Sequence, residues 1–190
     1  MFNKHKVKKV KFHRRFDISF NLLVYPCIVI IVILLFAMFS DNCYGDSIYW
    51  IHKYSEKFGI DHRIPYAMSR VESDGKRLAY SSKGAIGVMQ VMPETARNYF
   101  KWKIKNTDDP KRKIALLPYT KYPDIFYRIY LKQERWNILI GCWEYARCLK
   151  IFKGNYIKAL SAYNMGVNNK KYNLLYVRDV IDQLLRIQNG

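Results

Sequence analysis

Ile64-Pro65-Tyr66-Ala67-Met68-Ser69-Arg70-Val71-Glu72-Ser73-Asp74, followed at once by the turn region Ser81-Ser82-Lys83-Gly84-Ala85-Ile86-Gly87-Val88-Met89-Gln90, decides how the rest of the chain is read. Ile64, Ala67, Met68 and Val71 stand at i, i+3, i+4 and i+7, the spacing of one buried helical face. Pro65 suits the first turn of such a helix, and Asp61 is placed to cap it. Glu72 then falls in or just past the last turn. Unpaired carbonyls there present the negative end of the helix dipole and disfavour a carboxylate. Exclusion of water acts in the same direction, and a Glu that keeps its proton near neutral pH can serve as a general acid. A lone Glu at a helix end is ordinarily a surface residue, so its surroundings must decide.

The chain has 190 residues, half of them hydrophobic, enough for one modest domain with an appendage. Its formal charge is +18, of which residues 1–17 carry +6 and residues 18–40 none, leaving +12 for the remainder. A basic domain suits nucleic acid, an anionic membrane or an anionic wall polymer, and charge alone does not choose. The sequence has no paired CxxC, RNP-like run or helix-turn-helix signature, so neither a metal site nor nucleic-acid binding is expected. No motif asks for a cofactor.

Residues 18–40 form an uncharged run long enough to cross a bilayer as a helix. The basic head of residues 1–17 is expected to stay in the cytoplasm and to place everything after Ser40 outside. The run is either a retained transmembrane anchor or a signal peptide cut after Cys43-Tyr44-Gly45, and the full span with its long basic head favours the anchor. The expected location is accordingly the periplasmic face of an inner membrane, or the exported state after cleavage.

Beyond it, residues 47–58 predict a helix closed by Gly59, and Pro93-Glu94-Thr95-Ala96 predicts the first turn of another. Residues 101–134 are read as a solvated basic and aromatic loop, with a substrate-facing flap as the sharper alternative. Ile138, Cys142, Tyr145, Leu149 and Phe152 mark a helix central to the core. Residues 156–164 predict a mostly buried helix ended by Gly166, and Leu174, Val177 and Leu184 a last amphipathic one.

Five blocks stand in a telling order: Glu72-Ser73; Gly84-Ala85-Ile86-Gly87-Val88-Met89-Gln90; Asn137-Ile138 with Gly141 and Tyr145; Ala159-Leu160-Ser161-Ala162-Tyr163-Asn164-Met165-Gly166; and Tyr176-Val177. In this the chain resembles SLT-type lytic transglycosylases from about residue 48 to residue 181, and is similar to the small specialised enzymes of secretion and conjugation systems. The resemblance implies a mainly α, lysozyme-like fold with a small β-hairpin over residues 44–190, preceded by the hydrophobic export or transmembrane helix. It further implies cleavage of the MurNAc-GlcNAc β-1,4 bond of peptidoglycan. Glu72 would protonate the leaving oxygen and then take the proton of the MurNAc C6 hydroxyl, which attacks C1 and leaves a 1,6-anhydro end.

An internal nucleophile makes a second carboxylate unnecessary, unlike the paired acids of ordinary glycosidases. Asp74, Glu94, Asp108, Asp109, Glu134 and Glu144 all read as surface positions. Ser73, Gly87, Met89, Gln90, Tyr163 and Asn164 are the substrate-binding candidates: Gly87 for close approach of backbone to sugar, Gln90 and Asn164 for their amides, Tyr163 for its ring and phenol. Core packing is the competing reading of Met89 and of Tyr163. The partners implied are peptidoglycan strands, a membrane through residues 18–40, and a secretion or conjugation apparatus.

Two departures stand out. Residues 95–137 are longer than the family's usual connection, and Glu134-Arg135-Trp136 replaces an acidic-proline signature. Cys142 and Cys148, on one predicted helix, lie ~9 Å apart and cannot pair. By analogy with relatives that tie down their amino terminus, Cys43 is expected to bridge to Cys142; Cys142 as a small buried apolar residue is the other reading. A muramidase using water and a non-catalytic glycan-binding scaffold are the alternatives to the transglycosylase.

Overall fold

The computed structural model describes residues 43–189, with side chains from Ser47 onward. The expectations for residues 1–17 and 18–40 lie outside the described residues, as does the side chain of Cys43. Among the described residues, no helix is long and apolar enough to cross a membrane.

The domain is helical throughout, with α1 Cys43–Phe58, α2 Arg63–Ser73, α3 Pro93–Lys105, α4 Pro110–Leu116, a 3-10 turn Leu117–Thr120, α5 Asp124–Leu131, α6 Glu134–Ile151, α7 Tyr156–Met165 and α8 Leu174–Asn189. Helix α2 ends in a left-handed residue, Asp74. Its start is fixed by Asp61, whose carboxylate accepts the Arg63 backbone N–H at 3.0 Å. Asn155 caps α7 in the same way through the Lys158 N–H at 3.0 Å, and Asn173 caps α8 through the Tyr176 N–H at 3.1 Å. Where a small hairpin was expected, the backbone makes two isolated antiparallel bridges, Tyr80 to Ile86 and Ile86 to Val91.

Helix α6 is the axis of the fold. Ile138, Cys142 and Tyr145 are fully buried as the stripe predicts, and so are Ile140 and Cys148 off that stripe, because α1 packs on one side of α6 and α7 on another. Helix α2 packs against α8. The burial predicted for α7 is narrower than expected: Ala159 to Ala162 are inside, while Tyr156 and Ile157 are exposed.

Residues 101–134 are not a loop. They complete α3 and form α4, the 3-10 turn and α5; Pro110 and Pro118 sit in first turns and Pro123 just before one, where a missing N–H costs nothing. Tyr119, Phe126 and Tyr130 close over Phe100, with ring centroids 5.1 Å apart for Phe100–Tyr119 and 4.7 Å for Phe126–Tyr130. The aromatics thus build an annex to the core. Its charged half is exposed, as read.

Glu134 also departs from expectation. It is only 6% exposed, accepts the Ser47 hydroxyl and pairs with Arg77 at 3.4 Å. Glu134 therefore fastens α1 and the segment after α2 to the start of α6. Among the described residues Cys142 and Cys148 are buried and unbridged, and burial pushes each thiol's pKa up to about 12. The pairing expected for Cys142 concerns a Cys43 side chain outside the described residues.

The segment from Ala85 to Val91 crosses α6 at Asn137. The Asn137 carboxamide is fully buried; its oxygen accepts the Met89 N–H at 2.7 Å, and its nitrogen donates to the carbonyls of Ile86 at 2.6 Å and Leu131 at 3.1 Å. Gly87 has φ +78°, and a Cβ there would overlap the Asn137 amide nitrogen. Replacing Asn137 by Ala strands the Met89 N–H and the Leu131 carbonyl, each costing about 1–3 kcal/mol when buried unpaired, while the Ile86 carbonyl keeps the Val91 N–H at 2.9 Å. The expected loss is about 3–5 kcal/mol, read as a lower midpoint in equilibrium urea unfolding.

Candidate active site

Glu72, one residue before the end of α2, opens into a cleft of about 250 Å³ whose lining includes Ser81, Lys83, Gln90, Met92, Thr95, Glu144, Tyr163 and Asn164. Five elements contribute: α2 brings the acid, the glycine segment Ser81, Lys83 and Gln90, α3 Thr95, α6 Glu144, and α7 Tyr163 and Asn164. Three of the sequence-predicted residues join Glu72 there: Gln90, Tyr163 and Asn164.

The carboxyl of Glu72 has its pKa pushed up to about 7. Burial is the larger cause; the hydroxyl of Tyr176 on α8 opposes it by stabilising the charge. The Tyr176 oxygen is itself buried and stops short of regular hydrogen-bond geometry with any group. The helix end, which the sequence offered as a cause, is largely satisfied by its own cap: Asp74 N–H bonds the Arg70 carbonyl at 3.0 Å and Gly75 N–H that of Ser69 at 3.2 Å. Desolvation therefore does most of what the dipole was expected to share.

Tyr163 has a hydroxyl that donates to the Met89 carbonyl at 2.7 Å. Its phenol pKa is raised, first by burial and then by the charges of Glu72 and Glu144. It walls the cleft and pins the glycine segment to α7. Gln90, at φ +45°, spends its amide nitrogen on the carbonyls of Gly87 at 2.9 Å and Ala79 at 3.2 Å. Asn164 accepts from the Asn173 amide at 2.9 Å on the open rim.

Three predicted site residues serve the scaffold instead. The Ser73 hydroxyl donates to the carbonyls of Val88 at 2.8 Å and Ser69 at 3.2 Å, tying the end of α2 to the glycine segment, and it does not line the cleft. Gly87 makes its close approach to Asn137, not to an open groove. Met89 is fully buried against α6, where a Cβ at Gly141 would lie 2.7 Å from the Met89 Cβ. Core packing wins for Met89 because both glycines let the segment sink into the helix. Met92, by contrast, is 39% exposed in the cleft.

Sequence reasoning missed Lys83, Thr95, Tyr176 as a neighbour of the acid, and above all Glu144. Glu144 read as surface, yet its side chain is only 12% exposed and faces the cleft, paired with Arg147. A signal existed: Glu144 lies within the predicted helix two residues after Cys142 and one before Tyr145, on an element buried on several sides. Among the described residues, no group of three or more His, Cys, Asp or Glu side chains is placed to hold a metal ion.

The family model of the Transglycosylase SLT domain matches residues 49–116, from α1 through α4. The resemblance to SLT-type lytic transglycosylases stands on that match, which takes in Glu72-Ser73 and the whole glycine segment. The Asn137, Ala159–Gly166 and Tyr176-Val177 blocks lie beyond it. Among solved structures, the chain is similar to the X-ray structure of an inactive mutant of lytic transglycosylase Slt from Pseudomonas aeruginosa, at 20% identity and a TM-score of 0.44 over 73% of this chain. This chain spans 22% of that one, and a likeness at that level carries no further argument.

Because the folded protein holds the Glu72 proton up to about 7, against an ordinary value of 4.5, ionising Glu72 costs stability as pH rises through that window. Glu72→Gln should match wild type near pH 4 and exceed it above pH 7, by up to about 3 kcal/mol at ~1.4 kcal/mol per pKa unit. Paired urea titrations at the two pH values check it.

Proposed function

We propose that the protein is a peptidoglycan lytic transglycosylase that cleaves the MurNAc-GlcNAc β-1,4 bond and leaves a 1,6-anhydroMurNAc end. The observation that carries this reading is Glu72 holding its proton to about pH 7 inside a polar cleft, within an SLT-domain match. A buried carboxylic acid is suited to give a proton to a glycosidic oxygen as the bond breaks. The same carboxylate, now charged in a desolvated site, is a stronger base and recovers a proton from the C6 hydroxyl as that oxygen closes on C1. Burial thus serves both halves of the cycle.

Lys83 and the basic surface suit an anionic glycan-peptide polymer. The apolar run 18–40 and its basic head support an export or anchoring role that places the domain on the periplasmic side, and the domain's small size suits local opening of the wall for a secretion or conjugation apparatus.

One observation favours a second reading. The cleft holds Glu144 as well as Glu72, and two carboxyl groups are what a muramidase using water employs. Mass spectrometry of digested peptidoglycan separates the two: anhydro-ended muropeptides are expected, and reducing MurNAc ends with no anhydro product would overturn the transglycosylase. Glu72→Gln should lower turnover at least ~100-fold. Wild-type kcat/KM should fall as pH rises through about 7, where the acid loses its proton.

A further inference from the structure

Glu144 is a carboxylate in the cleft that neither the motifs nor the general-acid mechanism uses. It projects from α6, the most deeply buried helix, so its backbone is held on several sides. Arg147, one turn further on, grips both carboxylate oxygens, Nε to Oε2 at 2.8 Å and Nη2 to Oε1 at 2.6 Å. The guanidinium in turn lies over the Trp143 ring, 5.8 Å from its centroid, and Cys148 Sγ sits 3.9 Å behind Oε1. Such a clamp fixes orientation as well as charge.

A group held in this way is poorly suited to attack carbon or to activate water, since each oxygen already has one charged donor. It is well suited to another task. A carboxylate offers about four acceptor positions; the Arg147 fork occupies two, and the Cys148 thiol donates toward a third, on Oε1, at 3.9 Å. Acceptor capacity is left on Oε2, and Glu144 lines the cleft; the ion pair is already neutral overall, so neutral donors are taken more readily than cations. An N-acetylated glycan carries many such donors, the acetamido N–H and the ring hydroxyls.

We infer that Glu144, aimed by Arg147, is a substrate-contacting residue that accepts hydrogen bonds from the N–H and O–H groups of an N-acetylated glycan lying beside Glu72, and is not a second acid-base or nucleophilic carboxylate. This rests on the reading of the cleft as a glycan site. Arg147 is a positioning residue. Glu144 sets how tightly the strand is held, and Glu72 performs the chemistry.

The test uses the full chain, with β-1,4-linked GlcNAc pentamer as the binding probe and peptidoglycan digestion as the kinetic readout. On a Glu72→Gln background, where no turnover interferes, Glu144→Ala should weaken pentamer binding about tenfold by calorimetry. With Glu72 intact, Glu144→Ala should raise KM about tenfold, change kcat less than about threefold and keep anhydro ends as the product. Arg147→Met should raise KM in the same direction, and Arg147→Lys should restore part of it. Circular dichroism melts of each variant establish that it is folded at the assay temperature. If turnover instead drops by about two orders of magnitude or more while KM stays unchanged, Glu144 is a catalytic carboxylate and the inference is overturned. Unchanged binding and KM would reduce it to a structural ion pair, overturning it while Glu72 chemistry survives. Failure of the Glu72→Gln protein to bind the pentamer, together with no lysis by wild type, would remove the glycan reading itself.

Discussion

The Asn137 carboxamide, buried where the glycine segment crosses α6, is the constraint from which the rest of the site follows. Its oxygen and nitrogen satisfy backbone groups of Met89, Ile86 and Leu131 that no regular sheet or helix satisfies. Buried backbone groups must be paired, and a segment that makes only isolated bridges has few ways to do it. One side chain therefore replaces a strand partner. Because Gly87 has no Cβ, the segment comes close enough for those bonds to form, and because Gly141 has none, Met89 can seat itself on the helix. Ser73 and Tyr163 then pin the same few residues from α2 and α7, through Val88 and Met89. With the segment held from three sides, Gln90 and Lys83 are left lining the cleft with Glu72.

The electrostatics of the cleft depend on that framework. Glu72 keeps its proton up to about pH 7 because surrounding elements remove water from it; Tyr176, brought in by α8 from the far end of the chain, moderates the effect. The other carboxyl in the cleft is treated in the opposite manner. Glu144 meets a guanidinium within its own helix, one turn away. The two acidic residues thus share a cavity but have different partners, and their environments differ because of those partners, not because of the residue type.

The stretch between residues 101 and 134 shows how local composition misleads. Lysines, arginines, prolines and aromatics in one segment read as loop because each type is common on surfaces and in turns. Their arrangement makes three short helical pieces, from which Tyr119 stacks on Phe100 and Tyr130 meets its edge, while the charges of the first piece face water. Tyr127 and Leu131 are as deeply buried as residues of α6. The segment carries part of the hydrophobic core on behalf of a small domain.

Periodicity and turn chemistry in the sequence determined the helices, because burial of one face leaves a mark at every third or fourth residue and caps leave theirs at the ends. They placed Glu72 at the foot of α2, Gly59 and Gly166 at helix ends, and the stripe of α6. Motif order brought Gln90, Tyr163 and Asn164 to the acid. What the tertiary structure alone decided is which side of each residue faces water. Ser73, Gly87 and Met89 lie among cleft-lining residues in sequence, and a turn that reverses within a few positions sends neighbours to opposite faces, so these three hold the scaffold together instead. Glu134 and Glu144 looked exposed because a carboxylate is buried only where a cation meets it, and Arg77 and Arg147 are identified as those cations only once the chain is folded.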